Sequence, residues 1–378
     1  MSDEQKYTIQ GLEEYIRQGE PQQRERGETW KVAIGLQQVD GLTPSEYLLD
    51  TAKRHIEGDI SIGEAKMLID SYYKSAAGRK EVENDRTEEA DKVSVRITEI
   101  LAEKTFSFTP AQLTSIHRRL FEGIYKQAGR IRDYNITKNE WVLGGKTVYY
   151  ASADTISETL DYDMGQERTF DYANLNVDDA ISHLARFCAN IWQIHPFCEG
   201  NTRTTAVFMI KYLRTLGFNV VNDVFADNSW YFRNALVRAN YSDLTQGITE
   251  TTIYLVNFFR SMLLGEEHDL RNRMMHIEWK KTQDITEIQS ANNTVQSAKT
   301  EENLLSKCKN CTLEEMALLR IVQNNPFVTQ KEMAAQMGKS ERTVKTITVL
   351  LQEKGVLHRR NGKRNGYWEI ITDKIANN

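Results

Sequence analysis

The segment 178–217, DDAISHLARFCANIWQIHPFCEGNTRTTAVFMIKYLRTLG, decides the fold. Apolar residues recur every three or four positions in its first half: Ile181, Leu184, Cys188, Ile191 and Trp192. This spacing predicts a helix with one buried face. Pro196 ends that helix, because the residue before a proline is pushed out of helical geometry. Residues 202–216 are apolar almost all round and are followed by Gly217, which predicts a second, more deeply buried helix.

The loop between these two helices is polar and suits an anion. His195 lies at the exit of the first helix, and Gly200 and Asn201 lie at the entrance of the second. The N–H groups and the dipole at a helix N-terminus favour a phosphate, and glycine lets the backbone approach it. Arg203 adds a permanently charged cation that can bind in a bidentate manner. Taken alone, His195 would be interpreted as an ordinary helix-end histidine, but the whole set predicts chemistry at a phosphorus centre.

This loop resembles the signature of the Fic family, His-Pro-Phe-x-x-Gly-Asn-x-Arg. The matching residues are His195, Pro196, Phe197, Gly200, Asn201 and Arg203, with Glu199 at the position that is normally Asp or Glu. Most Fic proteins transfer AMP from ATP to a hydroxyl of a target protein. The resemblance therefore implies a protein adenylyltransferase that uses ATP and Mg2+.

The resemblance also implies a role for each residue. His195 would be the base that takes the proton of the target hydroxyl, as a largely neutral imidazole can. Glu199 would hold Mg2+ together with the substrate phosphates. The nucleotide-binding positions would be Phe197 as the buried anchor of the loop, Gly200 and Asn201 as the phosphate hole, and Thr202 beside them. Arg203 would bind the outer phosphates.

Two residues depart from the family pattern. Many members carry a second arginine three residues after the first, where this chain has Ala206, and Thr202 replaces the usual glycine. The loss of a cation near the γ-phosphate predicts weaker or reoriented triphosphate binding. We still expect activity, because the base, the phosphate hole, the metal carboxylate and the first arginine are all present.

Composition limits the class of protein. The chain has 378 residues, of which 40% are hydrophobic and 27% charged, and its formal net charge is −5. These values are ordinary for a soluble globular protein of two or three domains. No apolar stretch approaches the ~18 residues of a membrane span, and the N-terminus resembles no secretory signal. Four cysteines predict no disulfide framework, so we expect a cytoplasmic protein with no membrane partner.

Residues 1–80 are polar and are predicted to form a helical segment, with helices over 29–39, 45–57 and 62–73. The run from Gly41 onward resembles the small antitoxin that inhibits some Fic enzymes. Aligned on Gly41, Asp40 takes the place of the inhibitory glutamate of that motif. The arginine that such a glutamate usually pairs with is Ala206 here. We therefore predict an antitoxin-like segment, with Asp40 as its regulatory residue and weak or no autoinhibition.

Residues 88–265 are predicted to form the catalytic domain, with helices over 109–126, 230–243 and 253–264. The stretch 140–153 favours a β-hairpin that turns at Gly144 and Gly145. The resemblance makes this hairpin the flap on which a target protein docks as an added strand; otherwise it would be an ordinary surface hairpin. In the helix after the signature, Tyr231 would stack on the adenine and Asn234 would read its edge, although such residues are more often core.

Residues 266–311 are predicted to form a helical arm and a linker. Cys308 and Cys311 have zinc-ligand spacing, but tetrahedral zinc needs four ligands and no second pair lies nearby. Residues 312–373 are predicted to form a separate winged helix-turn-helix. From residue 312 to the end of the chain the net charge is +4, against −9 for the remainder.

A small basic domain on an acidic protein fits DNA. The predicted DNA-binding residues are Thr343, Lys345 and Thr346 on the recognition helix, and Arg359, Arg360, Lys363 and Arg364 on the wing. A winged helix that only contacts protein, including a second copy in a homodimer, is the alternative.

The predicted fold class is mostly α, with a Fic-type helical core, a β-hairpin flap and a C-terminal winged helix-turn-helix. The predicted function is AMP transfer to a Tyr, Thr or Ser hydroxyl. A DNA-binding regulator that senses a nucleotide without transferring it is the alternative.

Overall fold

A computed structural model describes residues 20–75, 86–218, 220, 223–279, 311–360 and 366–371. Over these residues the chain is mostly helical, in agreement with the predicted class. The first eight α-helices are α1 Pro21–Gly35, α2 Glu46–Glu57, α3 Ile62–Lys74, α4 Thr87–Ala102, α5 Pro110–Phe121, α6 Ile156–Thr169, α7 Val177–Ile194 and α8 Asn201–Thr215. Then follow α9 Asp223–Asp227, α10 Ser229–Ala239, α11 Ile253–Leu264, α12 Leu313–Asn324, α13 Gln330–Met337 and α14 Glu341–Glu353.

The helices α7 and α8 form the centre of the core, as the sequence predicts. Asn176 caps the start of α7 by accepting a hydrogen bond from the amide of Asp179, which satisfies one of the unpaired N–H groups there. Helix α8 is buried along most of its length. Because α7 and α8 are joined by only six residues, 195–200, the loop between them is held against the core at both ends.

The N-terminal helices pack onto the same core through α4. Predicted helices 45–57 and 62–73 are confirmed as α2 and α3, whereas the one predicted over 29–39 is α1 followed by a 3-10 turn, Leu36–Asp40. Asp91 of α4 accepts hydrogen bonds from Ser45 and from the Tyr73 hydroxyl. The hydroxyl of Ser229 donates to the carbonyl of Gly35 (2.7 Å). These buried bonds fix the 3-10 turn beside α8.

The predicted β-hairpin over 140–153 is wrong. The chain does turn at Gly144 and Gly145, both with positive φ, but the segment contains a 3-10 turn, Trp141–Leu143, and no strand pairing. The amides of Leu143 and Gly145 both donate to the Glu140 carbonyl. These local bonds replace the cross-strand ladder that the β-rich sequence favours. The helix predicted over 109–126 also ends earlier, at Phe121, before Gly123 at φ 74°.

The C-terminal residues form α12, α13, α14 and an antiparallel pair of strands, β1 Leu357–Arg360 and β2 Tyr367–Ile370. Arg320 of α12 donates hydrogen bonds to the carbonyls of Met262 (2.9 Å) and Leu263 at the end of α11. This contact attaches the C-terminal helices to the end of the central core.

The predicted linker lies mostly outside the described residues, as does Cys308; near Met274 the chain forms a 3-10 turn, Asn272–Met275. Cys311 is disulfide-bonded, while Cys188 and Cys198 are free. Within the described ranges no helix is long and apolar enough to cross a membrane.

Candidate active site

His195 follows the last residue of α7 and is the one described non-glycine residue with a positive φ, 50°. Its Nδ1 atom lies 3.2 Å from the carbonyl oxygen of Trp192. A carbonyl accepts only, so Nδ1 carries the proton and Nε2 keeps its lone pair. Burial, helped by the charge of Lys138, holds the pKa of His195 well below its usual range. The imidazole is therefore neutral at pH 7 and Nε2 is ready to accept a proton.

Arg132 fixes the backbone around His195. This buried guanidinium donates to the carbonyls of His195 (2.8 Å), Ile194 (3.4 Å), Ala151 (2.5 Å) and Tyr134 (2.7 Å). It therefore joins the end of α7 to the segments before and after the glycine turn. The ring of Tyr150 packs on the His195 ring with 4.2 Å between centroids. These contacts hold the strained backbone at His195, which costs of order 1–3 kcal/mol without such support.

The loop after His195 is held by its own buried side chains. Phe197 is 1% exposed and stacks on His117, with 3.7 Å between the ring centroids. The Asn201 side chain bonds to both the amide and the carbonyl of Phe197 (2.9 and 2.7 Å). Asn201 therefore shapes the loop with its side chain. Its backbone amide stands at the first position of α8, where a helix leaves its N–H groups without intrahelical partners.

His117 and Gly200 complete the loop. His117 lies 3.0 Å from the Glu199 carbonyl through Nε2 and accepts the Gly129 amide through Nδ1, so it is a packed helix residue, as predicted. Gly200 has φ 73°, and a Cβ there would lie 2.4 Å from the ring of Phe121. Glycine is therefore required at this position both for its conformation and for space.

Glu199, the predicted metal ligand, has a side chain that is 59% exposed and lies 2.9 Å from Lys138. The described residues contain no group of three or more His, Cys, Asp or Glu side chains that would hold a metal by themselves. A single exposed carboxylate beside a phosphate site does fit Mg2+, which usually takes one or two protein oxygens and completes its shell with phosphate and water.

Arg203 lies in a buried cluster of charged and polar side chains rather than facing open solvent. Its side chain is 0% exposed. The Nη2 atom lies 2.7 Å from Asp40 and 2.5 Å from Glu89, and it donates to the Tyr125 hydroxyl at 3.1 Å. The Nη1 atom donates to Gln37 (2.9 Å). In this conformation Arg203 binds protein groups at the position where the sequence predicts outer phosphates.

The prediction of weak or no autoinhibition depends on Asp40 having no arginine partner, since residue 206 is alanine, and the structure contradicts that premise. Ala206 is fully buried, and Asp40 instead pairs with Arg203, the arginine of the signature itself. The 3-10 turn Leu36–Asp40 places both Gln37 and Asp40 on this guanidinium.

The adenine contacts predicted for Tyr231 and Asn234 are wrong for this structure. Both side chains are 1% exposed. Tyr231 stacks on Phe258 at 6.4 Å, and Asn234 donates to Asn272 (2.8 Å). They belong to the packing between α10 and the segments that follow it. Thr202, which replaces the family glycine, accepts a hydrogen bond from the Trp192 indole (2.9 Å) and ties α8 to α7.

The predicted DNA-binding residues lie on two elements of the C-terminal region. On α14, Lys345 and Thr346 are exposed, while the amide of Thr343 donates to Ser340 at the helix start. Arg359 lies over the Trp368 ring at 4.7 Å, and Arg360 pairs with Glu369 at 2.6 Å. Lys363 and Arg364 lie outside the described residues.

Sequence reasoning missed several residues of the site. The four carbonyl partners of Arg132 are not encoded in any local sequence pattern. Glu89 lies on α4 and Tyr125 in the turn after α5, both far from the signature in sequence, and Lys138 precedes the glycine turn. Each reaches the loop through packing alone.

Comparison with known proteins agrees with this geometry. Residues 107–213 match the profile of the Fic/DOC family. This range contains His195 and the whole loop that leads to Arg203.

Two curated relatives are named protein adenylyltransferases. VbhT of Bartonella schoenbuchensis is 24% identical over 161 residues, 37% of this chain and 32% of VbhT. Fic of Nematostella vectensis is 26% identical over 212 residues, 51% of this chain and 46% of that protein. The matches thus span a third to a half of these relatives. A solved Fic family protein from Desulfovibrio desulfuricans G20 aligns over 98% of this chain and 97% of its own, with 13% identity and a TM-score of 0.43.

Proposed function

We propose that this chain is a protein adenylyltransferase that transfers AMP from ATP to a Tyr, Thr or Ser hydroxyl of a target protein or of itself. The observation that carries the proposal is the neutral His195, whose Nδ1 is bonded to Trp192 and whose Nε2 keeps its lone pair beside the start of α8. The names of the two relatives support the same reaction type.

In this mechanism Nε2 of His195 takes the hydroxyl proton as the hydroxyl oxygen attacks the α-phosphorus of ATP. The bond from that phosphorus to the bridging oxygen breaks, and pyrophosphate leaves. The amides at the start of α8 stabilise the charge that develops on the α-phosphate, and they need no rearrangement because Asn201 and Phe197 already hold the loop. Glu199 would hold Mg2+, which neutralises phosphate charge, after exchanging its contact with Lys138.

Two further elements belong to the proposal. The flap 140–153 would dock the target, because it leads to Tyr150, whose ring touches His195, and because it exposes Trp141 and Tyr149. Asp40 would be a regulatory residue, because its ion pair with Arg203 competes with the outer phosphates. Release of the turn Leu36–Asp40 would then free Arg203 to bind pyrophosphate as the leaving group.

Incubation with ATP labelled at the α-phosphate tests the function. We expect label on protein, no label from γ-labelled ATP, and a loss of about 10³-fold in His195→Ala, since a general base contributes 10²–10⁴-fold. His358→Ala, which removes an exposed histidine of β1, is the matched control. Nucleotide binding without any transfer of label would instead support the alternative function, a DNA-binding regulator that senses a nucleotide without transferring it.

We also propose that the C-terminal region binds DNA through α14 and the strands that follow it. The exposed Lys345 and Thr346 on one helix and the basic charge of this region support this. A salt-dependent shift of a DNA duplex that is lost in Lys345→Ala/Arg359→Ala is the expected result. The absence of a shift at low salt would leave protein contact, including a homodimer, as the role of this region.

A further inference from the structure

The missing second arginine of the signature raises the question of which residue serves the outer phosphates beside Arg203. Ala206 is 0% exposed and lies inside α8, where its side chain packs in the core. A ligand at the start of α8 therefore has no cation from that position. With Arg203 as its one protein cation, a triphosphate would be less fully neutralised even beside Mg2+, because its outer phosphates carry most of its charge.

Arg86 brings a second guanidinium to the same cluster from another part of the chain. It immediately precedes α4, and its side chain is 53% exposed. Its Nη2 atom donates to Glu89 (2.6 Å) and to the Tyr125 hydroxyl (3.2 Å). Arg203 donates to the same carboxylate and to the same hydroxyl. Two arginines distant in sequence thus converge on one Glu–Tyr pair.

The charges of this cluster show which partner can leave. Two arginines, Arg86 and Arg203, face two carboxylates, Asp40 and Glu89. Glu89 is 8% exposed and accepts hydrogen bonds from Arg203, Tyr125 and twice from Arg86. Asp40 is 26% exposed and lies on a short 3-10 turn. Departure of Asp40 leaves a net charge of +1 shared by two guanidinium groups around Glu89.

We propose that Arg86 is the second cation for the outer phosphates of the nucleotide and takes the place that the signature leaves to Ala206. Glu89 and Tyr125 act as the bridge that holds both guanidinium groups on one side of the loop. An anion that replaces Asp40 would contact the buried guanidinium of Arg203 and the exposed guanidinium of Arg86. Planar guanidinium groups suit this, because each can bind phosphate oxygens in a bidentate manner. The proposal rests on the use of ATP in the proposed function.

Calorimetric titration of the full chain with ATP and with AMP, in the presence of Mg2+, tests the proposal. The parent protein is Asp40→Asn, which removes the competing carboxylate charge. In this background Arg86→Gln is expected to weaken ATP binding about tenfold, the usual effect of losing a charge-assisted hydrogen bond. AMP lacks the outer phosphates, so its affinity should change less than about twofold. Arg86→Lys, which keeps the charge but not the fork, should recover part of the loss.

Arg130→Gln removes another exposed arginine of the same domain and is the matched control; it should leave both affinities unchanged. Equal affinity for ATP in the parent and in Arg86→Gln would overturn the proposal. An equal loss for ATP and AMP would overturn it too, because it would indicate a structural role. Absence of ATP binding in the parent would have the same consequence. If the parent binds ATP but transfers no label, the proposed enzymatic function fails while the binding comparison still decides the role of Arg86.

Discussion

Two neighbouring parts of the site are held in different ways. Around His195, the loop is fixed by hydrogen bonds between buried side chains and backbone atoms: Arg132 donates to four carbonyls, and His117 and Asn201 bond to backbone amides and carbonyls. Around Arg203, four charged side chains from three segments pair with one another. Backbone partners cannot be exchanged without unfolding, whereas a carboxylate can be replaced by another anion.

This difference separates the tasks of the site. The proposed base and phosphate hole need a fixed geometry, since catalysis by preorganised groups requires that nothing rearranges during the reaction. The proposed position for the outer phosphates must open and close, and Asp40 is the partner that can leave, because it is 26% exposed and Glu89 still pairs with the buried Arg203. The comparison therefore predicts that changes at the loop mainly lower the free energy of unfolding. Changes at the Arg203 cluster should mainly alter nucleotide binding and the rate of AMP transfer.

The largest expected effect concerns His117. Burial lowers its pKa to about 4, while in the unfolded chain it is about 6.5. Below pH 6.5 the unfolded state therefore binds more protons than the folded state. The contribution of neutral His117 to the stability of the folded protein is present above pH 6.5 and is lost as the pH falls toward 4. This difference in pKa between the unfolded and folded states corresponds to roughly 3 kcal/mol in the free energy of unfolding.

Urea unfolding at pH 7 and pH 4.5 measures this effect, with His117→Gln as the comparison. The wild type should lose clearly more stability on acidification than the variant does. Equal losses in both proteins would show that the loop does not depend on a neutral His117, and would weaken the contrast with the Arg203 cluster.

A smaller effect is expected for Asp40→Asn. Replacing the carboxylate releases Arg203 for the nucleotide, so the initial rate of AMP transfer should rise about tenfold, equivalent to about 1.4 kcal/mol. The control is Asp50→Asn, which removes an exposed carboxylate of α2. An unchanged rate with a lower free energy of unfolding would mean that the ion pair is structural and that the site does not open there.

An effect of about the same size as that of Asp40→Asn is expected at Thr202, on the loop side of the comparison. Thr202→Val leaves the buried Trp192 indole N–H without its acceptor and should lower the free energy of unfolding by about 1–2 kcal/mol. Thr159→Val removes a surface hydroxyl that bonds to the backbone of α6 and should cost a few tenths of a kcal/mol. If the two substitutions cost the same, the bond between α7 and α8 contributes nothing special to the loop.

Several features of the fold were predictable because they depend on local patterns. The apolar spacing of α7, Pro196 after it and the capping residue Ser45 before α2 each define an element by neighbours in sequence. The hairpin at 140–153 failed for the opposite reason. Its β-branched and aromatic residues favour strands, but the glycine turn bonds back to Glu140, and Glu140 itself is buried and paired with Arg233. That tertiary contact outweighs the local preference.

At the site, the sequence by itself determined the positions of the proposed base, the glycine of the loop and the signature arginine, because nine consecutive residues carry them. Only the tertiary structure decided what Arg203 touches. Its partners Gln37, Asp40, Glu89 and Tyr125 are brought together from three separate segments by the packing of α1, α4 and α5 against α8. A charge pair between residues far apart in sequence leaves no local pattern, since its energy depends on distance in space and on the exclusion of water.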